Sequence, residues 1–343
     1  MSTPKKCHLL IPDLLLPPDI VADASAGLDM PSLERMLARA QQQPLVSPTM
    51  ESWLCDIFGV EGQAIAPVTL RRDGIQPEAD YWLRADPVHI QMRRDQFILQ
   101  PEVHLNVNEA AQMCAELNRH FAGEGLHFIA PHPQRWYVRL NTSPDLFTYP
   151  LAQVASRNLR SFMPQGEDAL RWHKLFNEIQ MLFHEHPVNE ARAARGEQPI
   201  NSVWIWGGGK AVEKLKQPFA KIAGDSWLVE AFAQAAEIPW VPLSTQDADS
   251  YFTDVIDADN VLIVWEGLRR ALQMGDLQAW RNSLQHLEKI CLRPLWQAVR
   301  NGRIAQLTLD TMHADVAVRH VLKRGGAWRL WRRPTSLINH TVV

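Results

Sequence analysis

The stretch HEHPVNEARAARGEQPINSVWIWGGGK, from His184 to Lys210, carries the most distinctive chemistry in the chain. It begins with histidine and glutamate side chains, continues into an apolar run and ends in three glycines and a lysine. One interpretation is a metal site followed by a phosphate-binding loop. The other is a helix end followed by a core strand and a tight turn.

The two histidines do not have the spacing of a zinc site on a helix. His184 and His186 are two residues apart, whereas two ligands on a helix must be four apart to share a face. Pro187 ends the helix, and a histidine near the negative end of a helix dipole is stabilised. We therefore interpret this segment as a helix terminus and not as a metal site.

The three glycines Gly207, Gly208 and Gly209 match neither of the common phosphate-binding patterns. A phosphate loop requires GxxxxGK[ST] and a dinucleotide fingerprint requires GxGxxG. The apolar run before the glycines predicts a buried strand, and the glycines predict a turn after it. Backbone N–H groups at such a strand end can also approach an anion, so the spacing leaves both interpretations open.

Length and composition favour a protein of two lobes, or one domain carrying an insertion. The chain has 343 residues, of which 46% are hydrophobic and 21% charged, and its net charge is −3. A chain without a large basic excess is not expected to bind nucleic acid. The 13 tryptophans are expected mainly in core packing, because tryptophan has a large apolar area.

The cysteines and the first residues predict a cytoplasmic protein without membrane segments. The four cysteines are scattered and form no CxxC pair, which favours buried or free thiols in a reducing compartment. The apolar run near residue 10 is interrupted by Pro12, Asp13, Pro17 and Pro18. It is too short for a signal peptide or a membrane span, and the prolines are also expected to prevent a helix there.

The alternation of strands and helices predicts an α/β domain built from both ends of the chain. Strands are predicted at 7–12, 260–267 and 303–310, and helices at 31–43, 52–60, 167–186 and 277–300. Such alternation is typical of a mainly parallel sheet flanked by helices. Residues 78–150 instead predict strands around one helix at 105–125, a small α+β module. We predict an α/β domain of residues 1–77 and 151–343, with an inserted α+β domain at 78–150.

Two aspartates are candidates for a metal site at the edge of the predicted sheet. Asp13 follows the first strand, and Asp310 ends another, with His313 three residues later. Ligands of open α/β sheets gather at the carboxyl ends of strands, where carboxylates can hold a divalent metal. The alternative is ordinary, since aspartate is common in turns and caps after strands.

A second candidate group lies in the segment RADPVH. Asp86 and His89 could form a proton-transfer pair, and the neighbouring Arg84 would suit a phosphate or a carboxylate. A strand with mixed surface charge explains the same residues.

The segment HPVNEARAARGEQPINSVWIWGGG, which ends at Gly209, resembles a segment of archaeal-type cofactor-independent phosphoglycerate mutases of the alkaline phosphatase superfamily. The first strand with Asp13, the helix near 31–43 and the segments LRADPVH, LNVNEAAQMCAELN and WYVRL fit the same pattern. Three longer segments, Trp82–His89, Asn177–Arg192 and Asn201–Gly209, resemble those of a bacterial group known as RpfE-type regulatory proteins, which the chain as a whole resembles most. The resemblance implies an alkaline-phosphatase-like fold and a small phosphorylated metabolite as ligand.

This chain departs from the mutase pattern at the residues that would bind the metal ions and carry the phosphoryl group. The resemblance implies two metal ions, Mn or Zn, and a phosphorylated serine. That serine position falls on Met50 here, and Thr49 or Ser52 could replace it only after a shift. The metal-binding histidines are missing from the segments 266–276 and 310–315. Without them, we expect no cofactor.

Three hypotheses follow. The first is an inactive or chemically altered homologue that regulates or binds a ligand in a cleft between two lobes. Its ligand contacts would be Arg84, Asp86, His89, Asn189, Arg192, Asn201 and the glycines Gly207–Gly209. The second is an active phosphomutase or phosphatase that uses Asp13, Asp310, His313 and Thr49 or Ser52. The third is an interaction module with an exposed aromatic surface; its protein partner is not predicted.

Overall fold

The computed structural model describes residues 5–101, 103–243, 255–314 and 316–340, apart from the side chain of Asp19. The chain forms two compact units. The first unit is Met1–Phe58 with Lys216–Val343, and the second is Gly59–Leu215. Both ends of the chain therefore contribute to the first unit.

Strands and helices are numbered here in chain order. The strands are β1 (Lys6–Leu10), β2 (Gln41–Pro44), β3 (Tyr81–Arg93), β4 (Gln96–Gln100), β5 (Leu126–His132), β6 (Arg135–Leu140), β7 (Ser202–Lys210), β8 (Lys221–Gly224), β9 (Trp240–Pro242), β10 (Asn260–Val264), β11 (Gln306–His313) and β12 (Val316–Lys323). The helices are α1 (Pro18–Ser25), α2 (Pro31–Arg39), α3 (Met50–Phe58), α4 (Ile65–Arg72), α5 (Val107–His120), α6 (Leu151–Val154), α7 (Ala169–His184), α8 (Pro187–Ala194), α9 (Trp227–Ala235), α10 (Gly267–Gln273), α11 (Leu277–Leu287) and α12 (Arg293–Arg300).

The first unit contains a mainly parallel sheet. Its order is β2-β12-β11-β1-β10-β8-β9, and the five strands from β11 to β9 run parallel. The strands β12 and β2 add an antiparallel edge. Residues such as Leu9, Ile263 and Leu309 are almost fully buried, as expected for parallel strands covered by helices on both faces. The predicted α/β fold class with a mainly parallel sheet is confirmed.

The second unit is built around the long strand β3. It pairs antiparallel with β4, β6 and β7, and β5 pairs with β6. Helix α5 corresponds to the helix predicted within 105–125 and begins with a capping box formed by Asn106 and Glu109. The unit extends beyond residues 78–150 on both sides, because β7 pairs with β3 and the helices α4 and α7 pack against β7.

Two local predictions near the beginning of the chain are wrong. Helix α1 starts at Pro18, because proline lacks only an N–H that would be unpaired in the first turn of a helix anyway. The helix predicted for 31–43 ends at Arg39. Residues Gln41–Pro44 form the edge strand β2 instead, paired with β12.

The cysteines and most of the tryptophans are buried. All four cysteines are free and buried, and burial raises the pKa of Cys7 to about 12. Nine of the 13 tryptophans are buried. Among the described residues, no helix combines the length and the apolar character needed to cross a membrane.

Candidate functional site

Acidic side chains lie at or after the carboxyl ends of four neighbouring strands of the parallel sheet. Asp13 follows β1, Asp225 follows β8 and Glu266 follows β10, while Asp310 in β11 pairs with Leu10 at the end of β1. Because parallel strands end at one edge, these groups form an acidic edge of the first unit. This is the region where the fold is expected to place its chemistry.

Asp310 is completely buried and fully engaged by donors. The guanidinium of Arg319 donates to both carboxylate oxygens, at 2.8 and 2.6 Å. His8 Nε2 and Trp53 Nε1 donate to Oδ2, each at 2.8 Å. Burial alone would raise the pKa of Asp310, but the hydrogen bonds and charges of Arg319 and His8 lower it to about 2. The carboxylate is therefore ionised and held by three donor residues of the same unit, Arg319, His8 and Trp53.

Asp13 belongs to a second ion cluster, centred on Arg269. His313 Nδ1 lies 2.7 Å from Asp13 Oδ1, and Arg269 Nε lies 3.6 Å from Oδ2. Arg269 also donates to Glu51 Oε1 at 2.9 Å. Burial opposes the charge of this guanidinium, but Glu51 and Asp13 outweigh it and raise the pKa of Arg269.

The backbone of Asp13 is fixed as firmly as its side chain. Its φ of 58° lies in the left-handed region, which few residues other than glycine adopt without tertiary support. Its N–H donates to Met312 O at 2.8 Å, and Trp280 Nε1 donates to its carbonyl at 3.0 Å. These two bonds hold the carboxylate at the edge of the sheet.

Glu266 and Asp225 complete this edge. The backbone N–H of Glu266 donates to Asp225 Oδ1 at 2.6 Å. Burial is the main cause that raises the pKa of both carboxyl groups. Arg269 and Arg270 lie 3.9 Å from Glu266 and Asp225, respectively. Glu51, Asp225, Glu266 and Arg269 are not among the predicted site residues, although Asp225 and Glu266 follow the strands β8 and β10, which is a usable signal.

The residues at this edge do not fit a two-metal centre. Guanidinium groups occupy the sides of Asp13 and Asp310 that a cation would need, and a cation beside them would be repelled. Among the described residues, no three His, Cys, Asp or Glu side chains are arranged to hold a metal ion. Asp13 and His313 do lie together as predicted, but Asp310 belongs to a separate set of partners.

The two candidate nucleophiles cap a helix. Thr49 Oγ1 accepts from the backbone N–H of Ser52 at 3.1 Å, and Ser52 Oγ donates to Thr49 O at 2.9 Å. This pairing satisfies groups at the start of α3, where free N–H groups need acceptors. The two hydroxyls therefore have a structural use at this position.

All nine predicted ligand-binding residues lie in the second unit, not in two lobes. Arg84 and Asp86 are buried and form an ion pair. Trp206 Nε1 donates to the other oxygen of Asp86 at 2.7 Å. The Arg84 guanidinium lies over the ring of Tyr137, 4.9 Å from its centroid. The predicted Asp86–His89 couple does not form, because His89 Nδ1 is bonded to Pro199 O at 2.8 Å.

Three further predicted residues hold backbone segments together. Asn201 donates to Ile90 O at 2.9 Å and accepts from Ile90 N at 2.7 Å, locking β7 to β3. Asn189 bonds in the same way to both backbone groups of Ile200. Arg192 donates to the carbonyls of Gln198 and His104. Their role as ligand contacts stays a prediction.

The segment of His184–His186 is a helix junction, as interpreted from the spacing. His184 ends α7, and His186 caps α8, where its side chain accepts from Val188 N at 3.2 Å. Burial lowers the pKa of His186, which is consistent with a neutral ring acting as an acceptor.

The glycine run is not a turn, contrary to prediction. Strand β7 continues through Gly207–Gly209 to Lys210 and remains paired with β3, with a shift of register between Trp82 and Arg84. A Cβ atom at Gly208 would lie 2.5 Å from Leu83 Cδ2. A Cβ atom at Gly209 would overlap Ala64. The glycines thus allow neighbouring segments to approach the strand closely.

Gly209→Ala is expected to destabilise the protein by about 1–3 kcal/mol, because the added methyl group has no space beside Ala64. The measurement is the midpoint of urea unfolding. Gly325→Ala is the control, since its φ is −62° and nothing lies within 4 Å of the added atom. Equal effects of the two substitutions would contradict this packing role.

The free energy of unfolding is expected to depend on pH because His320 on β12 is buried. Burial is the main cause that lowers its pKa from 6.5 to about 4. Since the unfolded chain binds the proton more readily, the contribution of His320 to stability is complete above pH 6.5 and is lost as the pH falls towards 4. His320→Gln should flatten this part of the curve of unfolding free energy against pH. An unchanged slope would contradict the assignment.

Comparisons with known proteins agree with the architecture. No protein-family model matches the chain. Over 166 residues it is 36% identical to a probable 2,3-bisphosphoglycerate-independent phosphoglycerate mutase of Geobacter sulfurreducens, a match covering 45% of this chain and 41% of that protein. The chain is similar to 2,3-bisphosphoglycerate-independent phosphoglycerate mutases. A mutase of Methanothrix thermoacetophila is 27% identical over 108 residues, or 32% of this chain and 27% of that protein.

A solved structure supports the fold over nearly the whole chain. The PH0037 protein from Pyrococcus horikoshii superposes with a TM-score of 0.55 at 13% identity, covering 94% of this chain and 88% of that chain. The sequence similarity to the mutases thus covers less than half of this chain and of each mutase. The similarity in fold to the PH0037 protein covers nearly all of this chain.

Proposed function

We propose that the protein is a mutase homologue that binds a ligand or regulates a partner without two-metal phosphoryl transfer. The observation that carries this proposal is the state of Asp310. Both oxygens of this buried carboxylate accept hydrogen bonds from Arg319, and His8 and Trp53 also donate to one of them. The pairing of Asp13 with Arg269 and His313 adds to the argument. An RpfE-type regulatory role is the specific form that we propose.

A small phosphorylated metabolite is the ligand class we propose for the acidic edge. Its binding would depend on the cations there and not on metal. Arg270 has 54% of its side chain exposed, Arg319 28% and His313 23%. Guanidinium groups bind phosphate oxygens through paired, charge-assisted hydrogen bonds. The similarity to phosphoglycerate mutases makes 3-phosphoglycerate the first compound to examine.

The test combines three readouts on one preparation: bound metal after purification in manganese buffer, conversion of 3-phosphoglycerate to 2-phosphoglycerate, and calorimetric binding of 3-phosphoglycerate. We expect no stoichiometric metal and no turnover, with binding weakened by Arg270→Gln. Asp257→Ala, at an exposed ion pair with Lys5, is the control. Stoichiometric metal and turnover, both abolished by Asp13→Ala, would overturn the proposal.

An active metal-dependent mutase or phosphatase with a rearranged site is the second candidate. The observation in its favour is the pair Asp13–His313, with Glu266 and Asp225 at the same edge. Raised pKa values are typical of functional carboxyl groups as well as of buried structural ones. The turnover measurement with Asp13→Ala distinguishes the two candidates.

A further inference from the structure

The charge of the chain is distributed unevenly along the sequence. Residues 316–343 contain six arginine and lysine residues and no aspartate or glutamate, so the remainder of the chain, with 29 basic and 38 acidic residues, has a formal charge of −9. Five of the six cations lie in residues 323–333, KRGGAWRLWRR, which we name the basic aromatic segment. A basic cluster on an acidic protein indicates an anionic partner.

The basic aromatic segment also exposes large apolar side chains. Trp331 is 77% exposed, Leu330 69% and Trp328 52%. The three lie within four consecutive residues, with arginines at positions 329, 332 and 333. Most of the other tryptophans are buried. Adjacent exposed apolar residues of this size are typical of interaction surfaces.

The backbone of this segment is held on the first unit while its apolar side chains remain exposed. Arg39 Nη1 donates to Ala327 O at 2.7 Å, and Arg332 Nη1 donates to Ala40 O at 3.1 Å. Arg300 lies over the ring of Trp328, 4.9 Å from its centroid. Folding therefore does not bury Leu330 and Trp331, although the chain on both sides of them is fixed.

We propose that the basic aromatic segment docks the protein on an anionic lipid surface. Tryptophan and leucine enter the interfacial layer of a bilayer, and arginines beside them are attracted to acidic headgroups. A single-stranded nucleic acid fits less well, since Leu330 cannot stack on a base and Arg300 already covers one face of Trp328. This peripheral binding requires no helix that spans the membrane. It is independent of the proposed function of the acidic edge.

The chain offers a closely matched control for the test. Residues 331–333 read WRR and residues 92–94 read MRR. Met92 is 70% exposed, and both arginines that follow it are exposed. Both triplets thus pair one exposed apolar residue with two exposed arginines, and only the first belongs to the basic aromatic segment.

The experiment is co-sedimentation of the full chain with vesicles of phosphatidylcholine containing 30% phosphatidylglycerol, compared with pure phosphatidylcholine. We expect binding to the anionic vesicles alone, weakened by salt. The triple variant W331A/R332Q/R333Q should lower the partition coefficient at least 25-fold, because each arginine near an anionic surface contributes about fivefold. M92A/R93Q/R94Q should change it less than threefold. Circular dichroism verifies that each variant is folded.

A second variant separates apolar insertion from charge alone. L330A/W331A keeps every cation, and we expect it to weaken vesicle binding about tenfold or more. Three results would overturn the proposal: no binding to anionic vesicles, equal losses with both triple variants, or binding of a single-stranded oligonucleotide without binding of vesicles.

Discussion

Replacing Arg269 by alanine is expected to lower the free energy of unfolding by about 3–5 kcal/mol, the range for breaking a buried ion pair by removing one partner. Arg269 has 9% of its side chain exposed and faces the carboxylates of Asp13 and Glu51. Without the guanidinium, the buried carboxylate of Glu51 and the partly buried carboxylate of Asp13 lose a compensating charge. Urea unfolding at pH 7 measures the loss.

Arg270→Ala is the matched control for Arg269. It removes the same side chain at the next residue of α10, where the side chain is 54% exposed and Asp225 Oδ2 lies 3.9 Å from the guanidinium. Exposed pairs contribute at most about 1 kcal/mol. A loss of similar size for both variants would show that Arg269 does not organise the acidic edge.

Asp310→Ala is expected to destabilise the protein by a similar amount, about 3–5 kcal/mol, because Arg319, His8 and Trp53 then lose a shared acceptor inside the unit. The effect has a defined pH dependence. The folded pKa of about 2 lies below the ordinary value of 3.8, so the contribution of Asp310 is complete above pH 3.8 and is lost as the pH falls towards 2.

The prediction for Asp310→Ala is checked by measuring the free energy of unfolding of the wild type and of the variant at several pH values from 7 down to 2. The difference should be constant from pH 7 to about 4 and decrease below that. Asp257→Ala serves as a control, because its carboxylate is 55% exposed and pairs only at the surface. A difference that does not change with pH would contradict the ionised, hydrogen-bonded state of Asp310.

The sequence predicted the regular elements well where the local pattern was strong. The helix predicted for 105–125 and the strands predicted around it form as α5 and β3 to β6, because the periodicity of apolar residues is a local signal. The polar strand β2 was missed, since Gln41–Gln43 have no strand pattern and form an edge only because β12 lies beside them. The glycine run was misassigned for the same reason, because the pairing with β3 is not local.

The candidate site was predictable in part. Asp13, Asp310 and His313 were found because aspartates after strands in an α/β fold are conspicuous. Their partners are not predicted, because His8 and Arg269 are far in sequence from the carboxylates that they contact, and Arg319 reaches Asp310 only through the pairing of β12 with β11. Conversely, Asn189, Asn201 and Arg192 were selected as ligand contacts, and each bonds to the backbone of a neighbouring segment. A motif can therefore be distinctive because it fixes the fold.

The central claim is that arginines and not metal ions accompany the carboxylates of the acidic edge. The most direct measurement is anomalous diffraction at the manganese edge from crystals grown with excess Mn²⁺. We expect no anomalous peak within coordination distance of Asp13 or Asp310, and we expect the Arg269–Asp13 and Arg319–Asp310 pairs to be intact. A manganese ion bound to either aspartate, with its arginine displaced, would contradict the account.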